Sequence, residues 1–196
     1  MKRNFILSLV TVVFMLSACK KNSDNNGNSG IQGTYKLKYL TAKTNATLTA
    51  TDGEKSVTTS DYTTTNNSGV IVFGNSNVAT TGISYSINTL AYSSLYQDNV
   101  FVDSSSYPFI FTLPSSNSSG AYSLVGTDSI SFPQGSVIAM GGTGSIQGGP
   151  SGGRYTMNGK LLTIIQNGLK DSTFQDSGET FHQNELVLAT IVLEKQ

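Results

Sequence analysis

The chain has no tryptophan, one cysteine (Cys19), one histidine (His182) and four prolines in 196 residues. A single thiol excludes a disulfide within the chain, so the fold must rest on its core and its hydrogen bonds. One histidine and one cysteine are too few for the usual zinc sites, and we predict no metal and no cofactor. The 12 basic residues only match the 12 acidic ones, which argues against a nucleic-acid partner because phosphate binding needs a basic patch.

Long apolar runs are also scarce, and the one that is present lies at residues 5–18, directly after Lys2 and Arg3. It is shorter than the roughly 20 apolar residues that a spanning helix needs, and its position predicts a signal peptide. The run ends in Leu16-Ser17-Ala18-Cys19. This ending resembles the lipobox of bacterial lipoproteins, in which an apolar residue and two small residues precede a cysteine.

The lipoprotein resemblance implies that residues 1–18 are removed and that Cys19, once acylated, becomes the first residue of the mature protein. Acyl chains on Cys19 are then the link to the membrane, and we expect the protein at the cell envelope, on the outer membrane, either in its periplasmic leaflet or at the cell surface. Residues 20–30 contain no apolar side chain. We predict that residues 19–30 form a flexible tether, because a segment with nothing to bury cannot offset the entropy lost on ordering.

At Ile31 the sequence changes to short runs in which apolar and polar residues alternate. Ile31, Gly33, Tyr35, Leu37 and Tyr39 fall on one face of a predicted strand, since alternate strand residues share a face. Residues 31–196 are therefore expected to form one all-β domain. The further predicted strands are residues 46–51, 56–64, 70–73, 82–88, 109–113, 122–125, 129–132, 137–140, 154–157, 161–166 and 185–194.

The segments between these strands predict turns and loops. Turns are expected at Asp52-Gly53, Asn67-Ser68-Gly69, Asn158-Gly159, Asn167-Gly168 and Asp176-Ser177-Gly178. Residues 89–96 have a roughly helical spacing of apolar side chains, which predicts at most two turns of helix. Residues 97–107 are expected to form a loop, and the glycine-rich residues 141–153 a mobile surface loop.

A second resemblance, weaker in its motif, concerns the β-domain. The segment Ile31-Gln32-Gly33-Thr34-Tyr35 resembles the first strand of lipocalin-like domains, with Tyr35 in place of the tryptophan of that family. The hairpins at residues 120–132 and 153–166 and the long last strand at 185–196 are similar to its later strands. The resemblance implies an antiparallel meander that closes into a lipocalin-like barrel. An open β-sandwich is the alternative, since it satisfies the same strand count.

A barrel of about eight strands has room for packed side chains or for one small ligand. Seven aromatic residues on predicted strands are the candidates to line it, with packed core as the other interpretation: Tyr35, Tyr39, Phe73, Tyr85, Phe111, Tyr122 and Tyr155. The expected function is a non-catalytic binding module for a small apolar ligand. The alternative is a structural module, or one that binds a protein or glycan of the cell envelope.

One pattern raises the question of catalysis. Residues 149–153 match Gly-x-Ser-x-Gly around Ser151, and Asp171 or Asp176 and then His182 follow in the order of α/β-hydrolases. The nucleophile of that family needs a strand before the serine and a helix after it. Here the serine follows a glycine-rich segment and precedes a predicted strand. We therefore predict that the chain is not an enzyme.

Overall fold

The computed structural model describes residues 29–135 and 150–196. A single turn of 3-10 helix (Ser29–Ile31) precedes the first strand. Ten strands follow, namely β1 (Gly33–Ala50), β2 (Glu54–Thr63), β3 (Thr65–Phe73), β4 (Asn77–Gln97), β5 (Val100–Ala121), β6 (Ser123–Val125), β7 (Ser129–Phe132), β8 (Ser151–Asn158), β9 (Leu161–Asp176) and β10 (Glu179–Lys195). Cys19, the predicted signal peptide, the tether up to residue 28 and the predicted strand at 137–140 lie outside the described residues.

The strands form one antiparallel sheet, which confirms the all-β prediction. Neighbouring strands follow the order β2, β4, β3, β1, β10, β9, β8, β7 and β6, and β5 pairs with β4. Among the described residues, the ring of hydrogen bonds passes through β1, β2, β4 and β3 only. This arrangement does not make a closed barrel of the whole sheet, and the open sandwich alternative fits it.

The ring arises because β2 and β3 are two parts of one run, divided at Thr64. The Thr64 amide donates to the carbonyl of Leu40 (2.8 Å), and the Leu40 amide donates to Thr64 Oγ1 (2.9 Å). Asn67 also donates to the carbonyl of Thr64 (3.1 Å). These bonds hold Thr64 against β1 as a bulge, so that the ladder between the β2–β3 run and β4 is interrupted beside it.

One apolar cluster unites the sheet. It takes alternate residues from most strands, as expected for a sheet with one buried face. Its members are Ile31, Tyr35, Leu37, Leu40, Ala42, Tyr62, Ile71, Phe73, Val78, Ile83, Tyr85, Ile87, Tyr122, Ile130, Phe132, Leu162, Ile164, Val187, Ala189, Ile191 and Leu193. Each fully buried large apolar side chain contributes about 1.5–3 kcal/mol, so this cluster is the main source of stability.

Six strands continue beyond the cluster and end in three turns. We define the distal region as residues 45–50, 54–59, 92–97, 100–106, 169–176 and 179–186, which are aligned by their pairing. The rest of the described chain is the proximal region. Within the distal region only Ala50 and Glu185 are buried. Hydroxyl pairs cross its strands, such as Ser56 with Ser93 (3.1 Å) and Thr58 with Ser93 (3.2 Å).

Strand β5 lies at an edge of the sheet. Its ladder partner among the described strands is β4, along nearly its whole length. Pro108 and Pro114 lie within it, and Pro108 stands opposite Leu90. Proline has no N–H to donate, so it occurs in strands where that nitrogen faces away from the partner strand. The free edge of β5 therefore lacks a donor at Pro108, whereas Pro114 falls where the register of the β4–β5 ladder shifts.

Several local predictions were wrong. Residues 89–96 belong to β4 and not to a helix, and residues 97–107 form a tight hairpin between β4 and β5 and not a loop. Asn167-Gly168 lies inside β9 and is not a turn. A register shift between Leu37 and Tyr39 turns Tyr39 away from the core face, so Tyr39 is 36% exposed. Residues 151–153 lie in β8, and residues 141–149 are outside the described chain.

Candidate functional site

Three of the seven aromatic candidates pack directly on one another inside the cluster. The ring of Phe73 meets Tyr35 edge-on at 5.7 Å and Tyr122 edge-on at 5.2 Å. The Tyr35 hydroxyl donates to the carbonyl of Ile31 (2.9 Å), and the Tyr122 hydroxyl donates to that of Gly74 (2.7 Å). Burial raises the pKa of Tyr35, and it raises the pKa of Tyr122 to about 12. These side chains are part of the packed core.

The other four candidates are spread over the sheet. Tyr85 is buried and its ring lies 6.4 Å from that of Phe111. Phe111 and Tyr155 are half-buried and pack against the cluster, whereas Tyr39 is turned outward. The structure thus brings most of these residues together as core, and none of them lines the grooves described below. Their role in lining a ligand cavity stays a prediction.

A lysine of the last strand, which the sequence analysis did not single out, joins this core at the start of β1. Lys195 Nζ lies 5.8 Å from the centroid of the Tyr35 ring and donates to the carbonyl of Gln32 (3.0 Å). A cation above an aromatic ring is stabilised by about 0.5–2 kcal/mol, depending on how dry the site is. Lys195 therefore ties the end of β10 to the first residues of the domain.

Glu185 is the one buried acidic residue in the described chain. It lies on the core face of β10, opposite Lys170 of β9, and is 4% exposed. Its Oε2 has no hydrogen-bond partner among the described residues. Burial raises the pKa of the Glu185 carboxyl, and Lys170 opposes this shift. Burial raises the pKa of the Tyr62 hydroxyl, and the neighbouring Tyr85 and Glu185 raise it further. Glu185 is therefore a buried polar residue at the border between the proximal and distal regions.

The residues of the hydrolase-like pattern are not assembled into a triad. His182 Nε2 lies 3.5 Å from Asp171 Oδ1, and both side chains are more than half exposed. Ser151 begins β8, whose ladder with β9 starts at Gly153 and Gln166. His182 pairs with Thr173, which is farther along β9 by seven residues, or about 23 Å at the usual rise per residue.

Two kinds of structure are missing from the described ranges, 29–135 and 150–196. These ranges contain no group of three or more histidine, cysteine, aspartate or glutamate side chains that could hold a metal ion. They also contain no helix of the length and apolar character required to cross a membrane.

A groove lies on the outer face of the sheet, opposite the core face. It has a volume of about 630 Å³ and lies where the ladder between β2 and β4 is interrupted beside Thr64. There Thr89 Oγ1 donates to the carbonyl of Asp61 (2.9 Å), just beyond the last register pair of β2 with β4. The residues that line the groove are Lys43, Thr44, Asn45, Thr59, Ser60, Asp61, Thr89, Leu90 and Tyr92.

An exposed aromatic side chain and an ion pair dominate the walls of this groove. Tyr92 is 57% exposed, with Leu90, 47% exposed, two residues before it on the same face of β4. Lys43 Nζ lies 3.3 Å from Asp61 Oδ2, so the cation and the anion balance each other. A smaller depression of about 380 Å³ adjoins the other side of Tyr92 and is lined otherwise by serines of β4 and β5.

The sequence analysis missed Tyr92 for an identifiable reason. In residues 90–96, Leu90, Tyr92 and Tyr96 share one face, while Ala91 and Leu95 lie on the other. Apolar residues on both faces hide the alternation of a strand and imitate a helical spacing. The neighbouring serines, which favour neither structure strongly, did not correct this interpretation.

Comparisons of the chain with protein-family models, with curated proteins and with solved structures return no match. The candidate sites therefore rest on the geometry of this chain alone.

Proposed function

We propose that this protein is a non-catalytic, lipid-anchored interaction module of the cell envelope, which binds its partner on the outer face of the sheet. The observation that carries the proposal is the 630 Å³ groove around Tyr92. Its volume falls within the range of about 300–1,000 Å³ that is usual for ligand sites. The aromatic side chains first considered for an internal apolar ligand support it indirectly, because all of them except Tyr39 pack within or against the core.

The anchoring part of the proposal depends on Cys19. We expect the mass of the mature protein from the membrane fraction to correspond to a chain that begins at Cys19 and carries acyl groups. A Cys19→Ser variant is the matched control and should acquire no acyl mass, since the hydroxyl is a far weaker nucleophile than the thiolate. A wild-type chain with a bare thiol at position 19, or with residues 1–18 still attached, would contradict the anchor.

The binding part is tested by photocrosslinking in intact cells that produce the full chain. In one variant a photoreactive residue replaces Thr59, which lines the groove. In a second variant it replaces Lys160, which lies in the exposed turn between β8 and β9. We expect an adduct with a protein or glycan of the envelope from position 59 and none from position 160. Equal labelling from both positions, or no adduct from position 59, would count against an interaction site on this face.

A further inference from the structure

We infer that the groove around Tyr92 is a binding site for a neutral oligosaccharide. This inference rests on the proposed function and names the chemical class of its partner. A pyranose ring has an apolar face of C–H groups and a rim of hydroxyls. It is recognised by a flat aromatic surface together with planar polar groups beside it. The groove supplies both from residues that the sheet register fixes in place.

The aromatic surface is Tyr92. Its side chain lies between the 630 Å³ groove and the 380 Å³ depression, and both are lined by it. A sugar ring stacked on Tyr92 would therefore extend into a depression on either side, which suits a chain of two or more sugar units. Tyrosine also brings a hydroxyl to the polar edge of such a ligand, so that one end of the side chain is apolar and the other can hydrogen-bond.

The polar groups are Asn45 and Thr59, which are paired across β1 and β2, and Lys43 and Asp61, the next pair on the same face of these strands. Tyr92 stands opposite Thr59 on β4, so all five side chains share the outer face. Together they offer amide, hydroxyl, ammonium and carboxylate groups, which donate to and accept from sugar hydroxyls.

Charge decides the class of saccharide. The Lys43–Asp61 ion pair leaves no excess charge of either sign in the groove. An acidic saccharide would gain little from Lys43, because Asp61 lies beside it, and a cationic one would meet the same balance. The apolar part of the wall, Leu90 and Tyr92, is also too small for the core of a stable protein interface, which usually buries about 800 Å² on each partner.

The absence of tryptophan makes a direct test possible. In a Tyr92→Trp variant of the full chain in detergent, the one indole reports on the groove and still offers a stacking surface. We expect its fluorescence to shift and saturate with one or more of cellotetraose, maltotetraose and chitotetraose. It should respond at least tenfold more weakly to tetragalacturonate. A Tyr107→Trp variant is the control, because Tyr107 is similarly exposed (44%) but lies on the opposite face of the sheet.

Titration calorimetry of the wild type with the tetrasaccharide that responds best completes the test. Tyr92→Ala and Asn45→Ala should each weaken binding at least tenfold, and Tyr107→Ala should leave it unchanged. The inference is overturned if no neutral tetrasaccharide binds, if tetragalacturonate binds better, or if Tyr92→Ala binds as well as the wild type. If any of these results is obtained while a photoreactive residue at position 59 still crosslinks to an envelope protein, the proposed function is retained and only the saccharide inference is rejected.

Discussion

The proximal and distal regions use the same long strands for opposite purposes. In the proximal region alternate residues of β1, β4, β9 and β10 are buried, for example Leu193 at 0% exposure. In the distal region the same strands carry serine and threonine, and their apolar residues other than Ala50 are exposed or half-buried. Hydrophobic burial supplies most of the favourable free energy of folding. The distal strands must therefore depend on the proximal core for their stability. The difference indicates that each long strand gains most of its stability from its proximal part.

The largest difference in stability between the two regions is expected when one leucine of β10 is truncated in each of them. Leu193→Ala removes a fully buried side chain of β10 and should lower the free energy of unfolding by about 2–5 kcal/mol. Leu186→Ala removes a side chain that is 49% exposed and should cost less than about 1 kcal/mol. Urea denaturation of both variants measures the two values, and equal losses would mean that the distal region is not a dependent extension.

A smaller effect is expected from one hydroxyl in the proximal region. Tyr35→Phe removes the buried hydrogen bond to the carbonyl of Ile31 and leaves that carbonyl unsatisfied. We expect a loss of about 1 kcal/mol in thermal or urea unfolding. Tyr107→Phe, at an exposed position of β5, is the control and should be neutral. If Tyr35→Phe is neutral as well, the start of β1 is held by Lys195 and by packing alone.

The smallest effect, and the one that depends on pH, concerns Glu185 at the border of the regions. Burial raises its pKa in the native state above the value of about 4.3 expected when unfolded. Between those two values the native state binds more protons than the unfolded state, so the free energy of unfolding falls as pH rises through this window. Glu185→Gln removes this contribution, and the variant should gain stability relative to the wild type from about pH 4 to neutral.

Urea denaturation at several pH values measures this gain. Glu194→Gln, an exposed position of the same strand, is the matched control for the lost charge. A constant difference between Glu185→Gln and the wild type across the range would show that the carboxyl is solvated in the native state.

The sequence predicted the all-β class because Ile31, Tyr35 and Leu37 alternate with polar residues. It also predicted the turns at Asp52-Gly53, Asn158-Gly159 and Asp176-Ser177-Gly178, where a glycine with positive φ is needed. It did not predict the length of the strands. Runs such as Ser104-Ser105-Ser106 carry no apolar period, and they are strands only because their neighbours supply a ladder.

The candidate site was less predictable than the fold. Tyr92 could be recognised as a surface residue only once the register of β2 and β4 was known. The interruption that opens the groove depends on Thr64 and on its bonds to Leu40 and Asn67, which are 24 and 3 residues away along the chain. Contacts of this kind form only in the folded chain, so the local sequence pattern does not predict them.

Pro108 of β5 has a consequence for any chain that approaches the free edge of this strand. An added strand, from a neighbouring copy or from another chain, would find no amide to bond at Pro108. Edge-to-edge pairing of β5 with a second copy of the chain is therefore disfavoured, and so is aggregation by that route.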